Sequence, residues 1–236
     1  FAGLLIIYKN KFISQLIENG WHGIAYASVF TITNIFFVIS IENTNVANTL
    51  IMIALAPMLS AVISFVFLKE NTDQKTWIAI IVTTLAVIYI FNDSFKRGDV
   101  LGNFLGLICA TGLAVGAVII RSTKKINLVP SAMMGKLMVA LIALLFADNL
   151  VLKGNDSIII PLMCIMCVAI PFVLITLAPR YITAAEVNLF FLLETILGPL
   201  WVWLAIKEQP STETIIGGII IIATIATHSV LSLKKT

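Results

Sequence analysis

Charge is what this sequence has least of. Only 11% of its 236 residues are Asp, Glu, Lys or Arg, and 60% are hydrophobic, whereas an ordinary soluble domain is about 25% charged. So little polar surface cannot cover a chain in water, which excludes a soluble globular protein and leaves an integral membrane protein. Histidine and cysteine are scarce too. Cys109, Cys164 and Cys167 all fall in apolar runs, and the C-x-x-C of the last two has no second pair or histidine cluster to complete a metal site. They read as small membrane-buried side chains, and neither a metal nor a cofactor is implied. His22 and His228 lie near helix ends without a metal partner. There is no Ser-His-Asp set and no phosphate loop, so no catalytic residue is assigned and the chain reads as a non-enzyme. A net charge of +3, with the basic residues spread over short loops, excludes a nucleic-acid partner.

What is present is a succession of apolar runs. A membrane-crossing helix needs about 20 mostly apolar residues. Breaks at charges, Asn and Pro give segments at 20–40, 46–68, 76–91, 101–120, 131–150, 158–178, 184–206 and 214–232. The opening "FAGLLIIYKNK" carries its basic residues after the apolar run, not before it, so it reads as the end of a longer helix and not as a signal peptide. The loops are short, which predicts antiparallel neighbours and leaves no room for a soluble domain.

Loop Lys and Arg residues set the orientation. One set of alternate loops holds Lys9, Lys11, Lys69, Lys75, Arg121, Lys124, Lys125, Arg180, Lys234 and Lys235; the other holds Lys96, Arg97, Lys153 and Lys207. The richer set, with the C-terminus, is predicted to be cytoplasmic. Lys136, about six residues inside its helix, is set aside as a side chain that snorkels to the interface.

An offset of 138 residues lays "SAVISFVFLKENTDQKTWIAII" on "GPLWVWLAIKEQPSTETIIGGI". Lys69-Glu70 meets Lys207-Glu208, and Thr76 meets Thr214. Glu70 falls in a cytoplasmic loop and Glu208 in an external one, so the halves are inverted, as in many transporters. The same offset maps helix 131–150 onto the opening stub and helix 101–120 ahead of Phe1. The expectation is an all-α bundle of two inverted five-helix repeats, ten helices when complete, of which this chain holds eight and a stub.

These residues resemble the EamA-type transporters of the drug/metabolite transporter superfamily. That family's helix-end pattern is a Glu-Pro or similar step, an aliphatic stretch with small residues, then Gly-Glu. Here the copies read "APMLSAVISFVFLKE" and "ETILGPLWVWLAIKE". Ala56 stands where the acid is often found, Thr195 where the Pro is, and Lys replaces Gly before the final Glu. The resemblance implies an EamA-like repeat over 1–92, lacking its first helix and part of its second, and another over 98–236. It also implies a carrier of amino acids, metabolites or other small solutes, in a bacterial inner (plasma) membrane.

Polar residues inside the spans are the site candidates. Glu194 lies about ten residues into its helix, where an ionised carboxylate costs roughly 2.5–3.5 kcal/mol. It is read either as a proton-coupling or substrate-contact group facing the bundle interior, or as a buried acid hydrogen-bonded to a neighbouring helix. Thr183–Glu186 has the pattern of a capping box. Asn45 reads as an N-cap, and Asn48, a turn deeper, as a cap or a solute contact. Asn34 and, more weakly, Asn188 need partners from another helix or from solute. Trp201, two turns from Glu194 on one face, either walls the solute path or joins Trp203 in an interfacial belt. The small residues Pro57, Ser60, Ala61 and Ser64, with Gly102, Gly106, Ala110, Gly112 and Gly116, read as packing seams. Pro57 and Pro199 free backbone carbonyls within the membrane.

The resulting expectation is alternating access to a site near the midplane, with the bilayer, a small-molecule solute and protons as partners. Three rival readings fit the sequence less well. A membrane-embedded enzyme would need clustered polar residues at one interface, and a non-transporting scaffold subunit has little use for inverted symmetry. A channel would show a ring of charge or a filter repeat. Topology tests the frame: cysteines introduced near Lys125 and Lys235 should resist an impermeant maleimide in intact cells, and one near Lys153 should react. Labelling near Lys125 from outside would break both the orientation and the inversion.

Overall fold

The computed structural model describes residues 11–69, 73–123, 126–147, 151, 154–171, 197–198, 200–205, 207 and 209–233. Helix α1 (Lys11–Asn43) bends at Gly20, whose backbone is non-helical at φ 49, ψ −137. Nothing lies within 4 Å of where a Cβ would stand there, so the glycine serves the backbone turn and not a close contact. The bend falls where the sequence places the start of the segment 20–40. The 23 residues beyond it rise about 35 Å, enough for a hydrocarbon core of about 30 Å.

Helices α2 (Val46–Ile53) and α3 (Ala56–Leu68) form one apolar crossing with a break between them. The break has a cause in Pro57, which cannot donate to the carbonyl of Ile53 and whose ring crowds it. The chain recovers at once, with Ala54 N–H bonded to Leu50 carbonyl at 3.0 Å and Leu59 N–H to Leu55 carbonyl at 3.0 Å. Helices α4 (Gln74–Arg97), α5 (Val100–Ser122) and α6 (Val129–Leu145) follow. Then come α7 (Asp156–Met163), continuing into a π-helical turn at Cys164–Ala169, and α8 (Thr212–Leu233). Residues 200–205 are also helical.

Among the described residues four stretches are long and apolar enough to cross a membrane: Phe12–Asn43, Val46–Leu68, Gln74–Asp93 and Val100–Ser122. Shorter apolar helices cover Val129–Leu145, Asp156–Val168 and Thr212–His228. Helix α4 shows why they suit lipid. Ile78, Ile81, Leu85 and Ile88 form an exposed stripe, while Ala79, Thr83, Ala86 and Ile90 are buried on the other face. An apolar outer face of that size is a liability in water and the ordinary solvent-facing side in hydrocarbon. Cys164 and Cys167 lie on such an outer surface, and of the three cysteines Cys109 alone is buried in protein.

The bundle has two ends. One, the Asn45 end, gathers the turn at Thr44–Asn45, the turn at Gly98–Asp99 and the start of α8. The other, the Lys69 end, gathers Lys69, Asp73, Thr123, the residues 126–128 and the end of α8. The C-terminal helix therefore ends on the side of Lys69, Lys75 and Arg121.

The core is formed by Ile51, Met52, Leu55 and Met58 of α2–α3 with Ala86 and Ile90 of α4, Ala110 of α5, and Ile221 and Ile225 of α8. Helix α5 is central because its glycines admit neighbours. A Cβ on Gly102 would stand 2.6 Å from the Asn43 carbonyl, and one on Gly106 would stand 3.2 Å from Met52 Cβ. Gly112 and Gly116 meet Thr33 and Tyr26 of α1. The α5 seams therefore match the sequence reading. The α3 seam does not fully match: Ser64 is buried, but Pro57 is exposed.

The two lysines that the sequence offset pairs share a backbone conformation. Lys69 and Lys207, equivalent at the 138-residue offset, both take left-handed backbone conformations, with φ 53 and 63. Lys69 caps α3 with its N–H on the Ser64 carbonyl, and Lys207 N–H meets the Trp203 carbonyl at 3.0 Å. A helix stop of this kind favours Gly, which accounts physically for the Gly of the family pattern and marks Lys as the strained variant. Lys69→Gly and Lys207→Gly should each stabilise the protein by about 1 kcal/mol, the approximate cost of a left-handed L-residue. Lys69→Asn should be milder and Lys69→Ile destabilising. Thermal unfolding in detergent checks the order, and a Gly variant less stable than wild type would sink the strain argument.

Candidate functional site

Two buried polar clusters stand out, one on each side of helix α1. The first lies between α1 and α6. These helices run in the same direction: Asn19 Nδ2 donates to Ser131 Oγ at 2.9 Å and to the Asn127 carbonyl at 3.0 Å, and further along Thr31 Oγ1 lies 3.1 Å from the Gly135 carbonyl. Gly135 makes the approach possible, since a Cβ there would be 3.0 Å from both the Ala27 carbonyl and the Phe30 ring.

One residue on, the half-buried Lys136 sends its ammonium to Asn34. Nζ donates to Asn34 Oδ1 at 2.8 Å, and it sits 5.0 Å from the centroid of the Phe30 ring. Asn34 Nδ2 is occupied by the Phe30 carbonyl of its own helix at 2.7 Å, which leaves the amide oxygen facing α6. The sequence reading had Lys136 snorkelling to the interface, and the structure corrects this. Asn34 lies almost a turn beyond Thr31, on the far side of Gly135 from the start of α6. The lysine therefore reaches forward into the bundle and away from the nearer interface. The signal was available: Lys136 is the one charge in the apolar run 129–145, the same argument that singled out Glu194.

The second cluster closes the Asn45 end. Ser211 Oγ accepts the Thr214 N–H at 3.1 Å, so it caps the start of α8. Its hydroxyl then donates to Thr214 Oγ1 at 2.9 Å, Thr214 donates to Asn48 Oδ1 at 2.7 Å, and Asn48 Nδ2 donates to Thr44 Oγ1 at 3.1 Å. Thr44 donates in turn to Asn103 Oδ1 at 2.9 Å. Ser40 adds bonds to Thr49 Oγ1 and to the Gly102 carbonyl, both at 2.8 Å. The relay joins α1, α2, α5 and α8. Asn48 and Thr214 are nearly inaccessible, at 3% and 1% exposure.

The candidates thus separate. Asn34 belongs to the α1–α6 cluster, and Asn48 belongs to the Asn45 end with both ends of its amide engaged inside the protein. Asn45 sits at the N-cap of α2 but makes no side-chain cap bond. Trp201 is 64% exposed, as a residue of an interfacial belt is. Glu186, Asn188 and Glu194, with Thr183, lie outside the described residues. Sequence reasoning missed Ser40, Thr44, Asn103 and Ser211, because each is a common small polar residue with meaning only beside its partners. At the Lys69 end Thr76 Oγ1 and His228 Nε2 are 2.7 Å apart, which gives that histidine a partner within the bundle. Among the described residues no group of three His, Cys, Asp or Glu side chains is placed to hold a metal ion.

The family model described as the EamA-like transporter family matches residues 1–92 and 100–230. No curated protein and no solved structure matches the chain. With a match over nearly its whole length and a helical, polytopic membrane fold, the chain belongs to the EamA-like transporter family, membrane transporters of the drug/metabolite transporter superfamily.

Proposed function

We propose that the chain acts in a secondary-active carrier that moves a small organic solute, such as an amino acid or metabolite, across a bacterial inner (plasma) membrane by alternating access. The observation that carries the reading is the Asn48–Thr214 bond. It ties a helix of the 1–92 repeat to a helix of the 98–236 repeat, at one end of the bundle. At the 138-residue offset Thr214 corresponds to Thr76 and Asn48 to Glu186. An inverted repeat therefore makes Thr76 the counterpart of Thr214 at the opposite end, where it meets His228 of the other repeat. Polar ties between the repeats, Asn48–Thr214 at one end and Thr76–His228 at the other, fit two halves that rock about a central site. Loop charges assign the Lys69 end and the C-terminus to the cytoplasm, so the Asn48–Thr214 bond faces outward.

Locking the tie tests this. In a background with Cys109, Cys164 and Cys167 replaced, Asn48→Cys with Thr214→Cys should cross-link under oxidant, stop vesicle uptake of a labelled amino-acid and carboxylic-acid panel, and recover on reduction. Undiminished uptake by the cross-linked protein would mean that this end never opens, and alternating access would fail.

Glu194 is the coupling candidate, on the strength of its depth in an apolar run. Glu194→Gln keeps size and hydrogen-bonding capacity but cannot exchange a proton. The expected outcome is loss of proton-gradient-driven accumulation with solute exchange intact, since exchange moves no net proton. A variant that still accumulates solute normally would return Glu194 to the status of a structural acid.

A further inference from the structure

We propose that Lys136, steadied by Asn34 and Phe30, is the anion-recognition point of the solute path, so that the transported solute carries a carboxylate or phosphate group. This rests on the carrier reading above and adds the chemical class of the cargo.

A lysine in a bilayer span is costly, roughly 2.5–3.5 kcal/mol near the helix centre. Such a charge is ordinarily neutralised by an acid or drawn back to the interface. Among the described residues Lys136 does neither. Its partners among the described residues are an amide oxygen at 2.8 Å and an aromatic face at 5.0 Å. Both are compatible with a cation, and neither cancels its charge. An ammonium has three donors, and Asn34 takes one. The direction of the side chain matters as much. Helices α1 and α6 are parallel, Thr31 meets Gly135, and Asn34 lies further along α1 than Thr31. The lysine therefore points up the bundle, away from the headgroups nearest to the start of α6. A lipid phosphate would draw it the other way.

The shelf is also built with care. Asn34 is held by its own helix through the Phe30 carbonyl at 2.7 Å, so its oxygen faces Lys136 without a cost in mobility. Phe30 is fixed in turn by the close approach of Gly135. A compact ammonium held in this way binds an anion as a point charge and does not require the planar fork geometry of arginine. That suits either a carboxylate or a phosphate.

The test uses the complete protein, purified in detergent, with thermal unfolding read against millimolar succinate, glutamate, inorganic phosphate, glucose and putrescine. At least one anion should raise the unfolding temperature, and glucose and putrescine should not. Lys136→Gln should weaken the anion effect about tenfold or more, as expected for loss of a charged contact, and Lys136→Arg should retain most of it. Asn34→Ala is a second variant, expected to weaken anion binding while leaving the charge in place.

Stabilisation by none of the anions, or equal stabilisation of wild type and Lys136→Gln, overturns the proposal. So does stabilisation by phosphatidylglycerol alone, which would make the lysine a headgroup contact. If Lys136→Gln fails to fold and Glu194→Gln restores it, the lysine serves an internal acid, and the proposal again falls. The carrier reading fails separately. Anion binding with no solute movement in vesicles would sink that reading alone, and movement of a neutral solute with no anion effect would sink only the assignment of Lys136.

Discussion

Inside a hydrocarbon slab a polar group has only the protein itself to bond, and the rest of this structure depends on that constraint. The backbone meets it by forming helices. Side chains meet it in two ways. The hydroxyls of Thr33, Thr83, Thr84, Thr111 and Thr224 return to carbonyls one turn earlier on their own helices. Others, such as Ser40, Thr44, Asn48 and Thr214, reach across to a different helix. Among the described residues no buried side-chain polar atom is left without a partner. The first kind of bond is local and carries no tertiary information. The second kind decides which helices meet and at what depth.

Close approach makes those cross-helix bonds possible. Lipid is as apolar as the helix surfaces, so burial of apolar area does little to draw helices together, and small residues that admit a neighbour do more. Helix α5 is where this is concentrated. Gly102 lets the end of α1 come near enough for Ser40 to bond the Gly102 carbonyl and for Thr44 to reach Asn103. Gly135 does the same for α1 and α6 and so sets the height at which Lys136 meets Asn34. The glycines are not themselves a site. They bring the polar side chains within hydrogen-bond range, and the pattern of bonds at the Asn45 end differs from that at the Lys69 end as a result.

The two lysines of the repeat and the one between α1 and α6 show how differently a charge is used by position. Lys69 and Lys207 end helices in left-handed conformations where the chain leaves the apolar region. Their side chains meet water, so the cost they carry lies in the backbone. Lys136 has ordinary helical surroundings, and its cost is electrostatic. In the sequence Lys136 stands apart as the one charge inside the apolar run 129–145, but the local pattern does not say which partner it meets.

Much of the fold was legible because hydropathy is a sum over neighbours in the chain. Twenty apolar residues cross a bilayer whatever they pack against, so the spans from α1 to α5, their antiparallel succession and the seams of α5 could be read from the sequence alone. Even the bend at Gly20 and the break before Pro57 follow from single residues with known backbone limits. What only the tertiary structure decided is which polar residues share a partner. Asn34 and Asn48 look alike in the sequence, each an amide in an apolar helix. One holds a lysine and the other holds a helix, because rotation and depth place Lys136 beside the first and Thr214 beside the second. Those partners lie 102 and 166 residues away in the chain. Periodicity within one helix tells which way a side chain points, but the identity of what stands there depends on how close two distant helices can come.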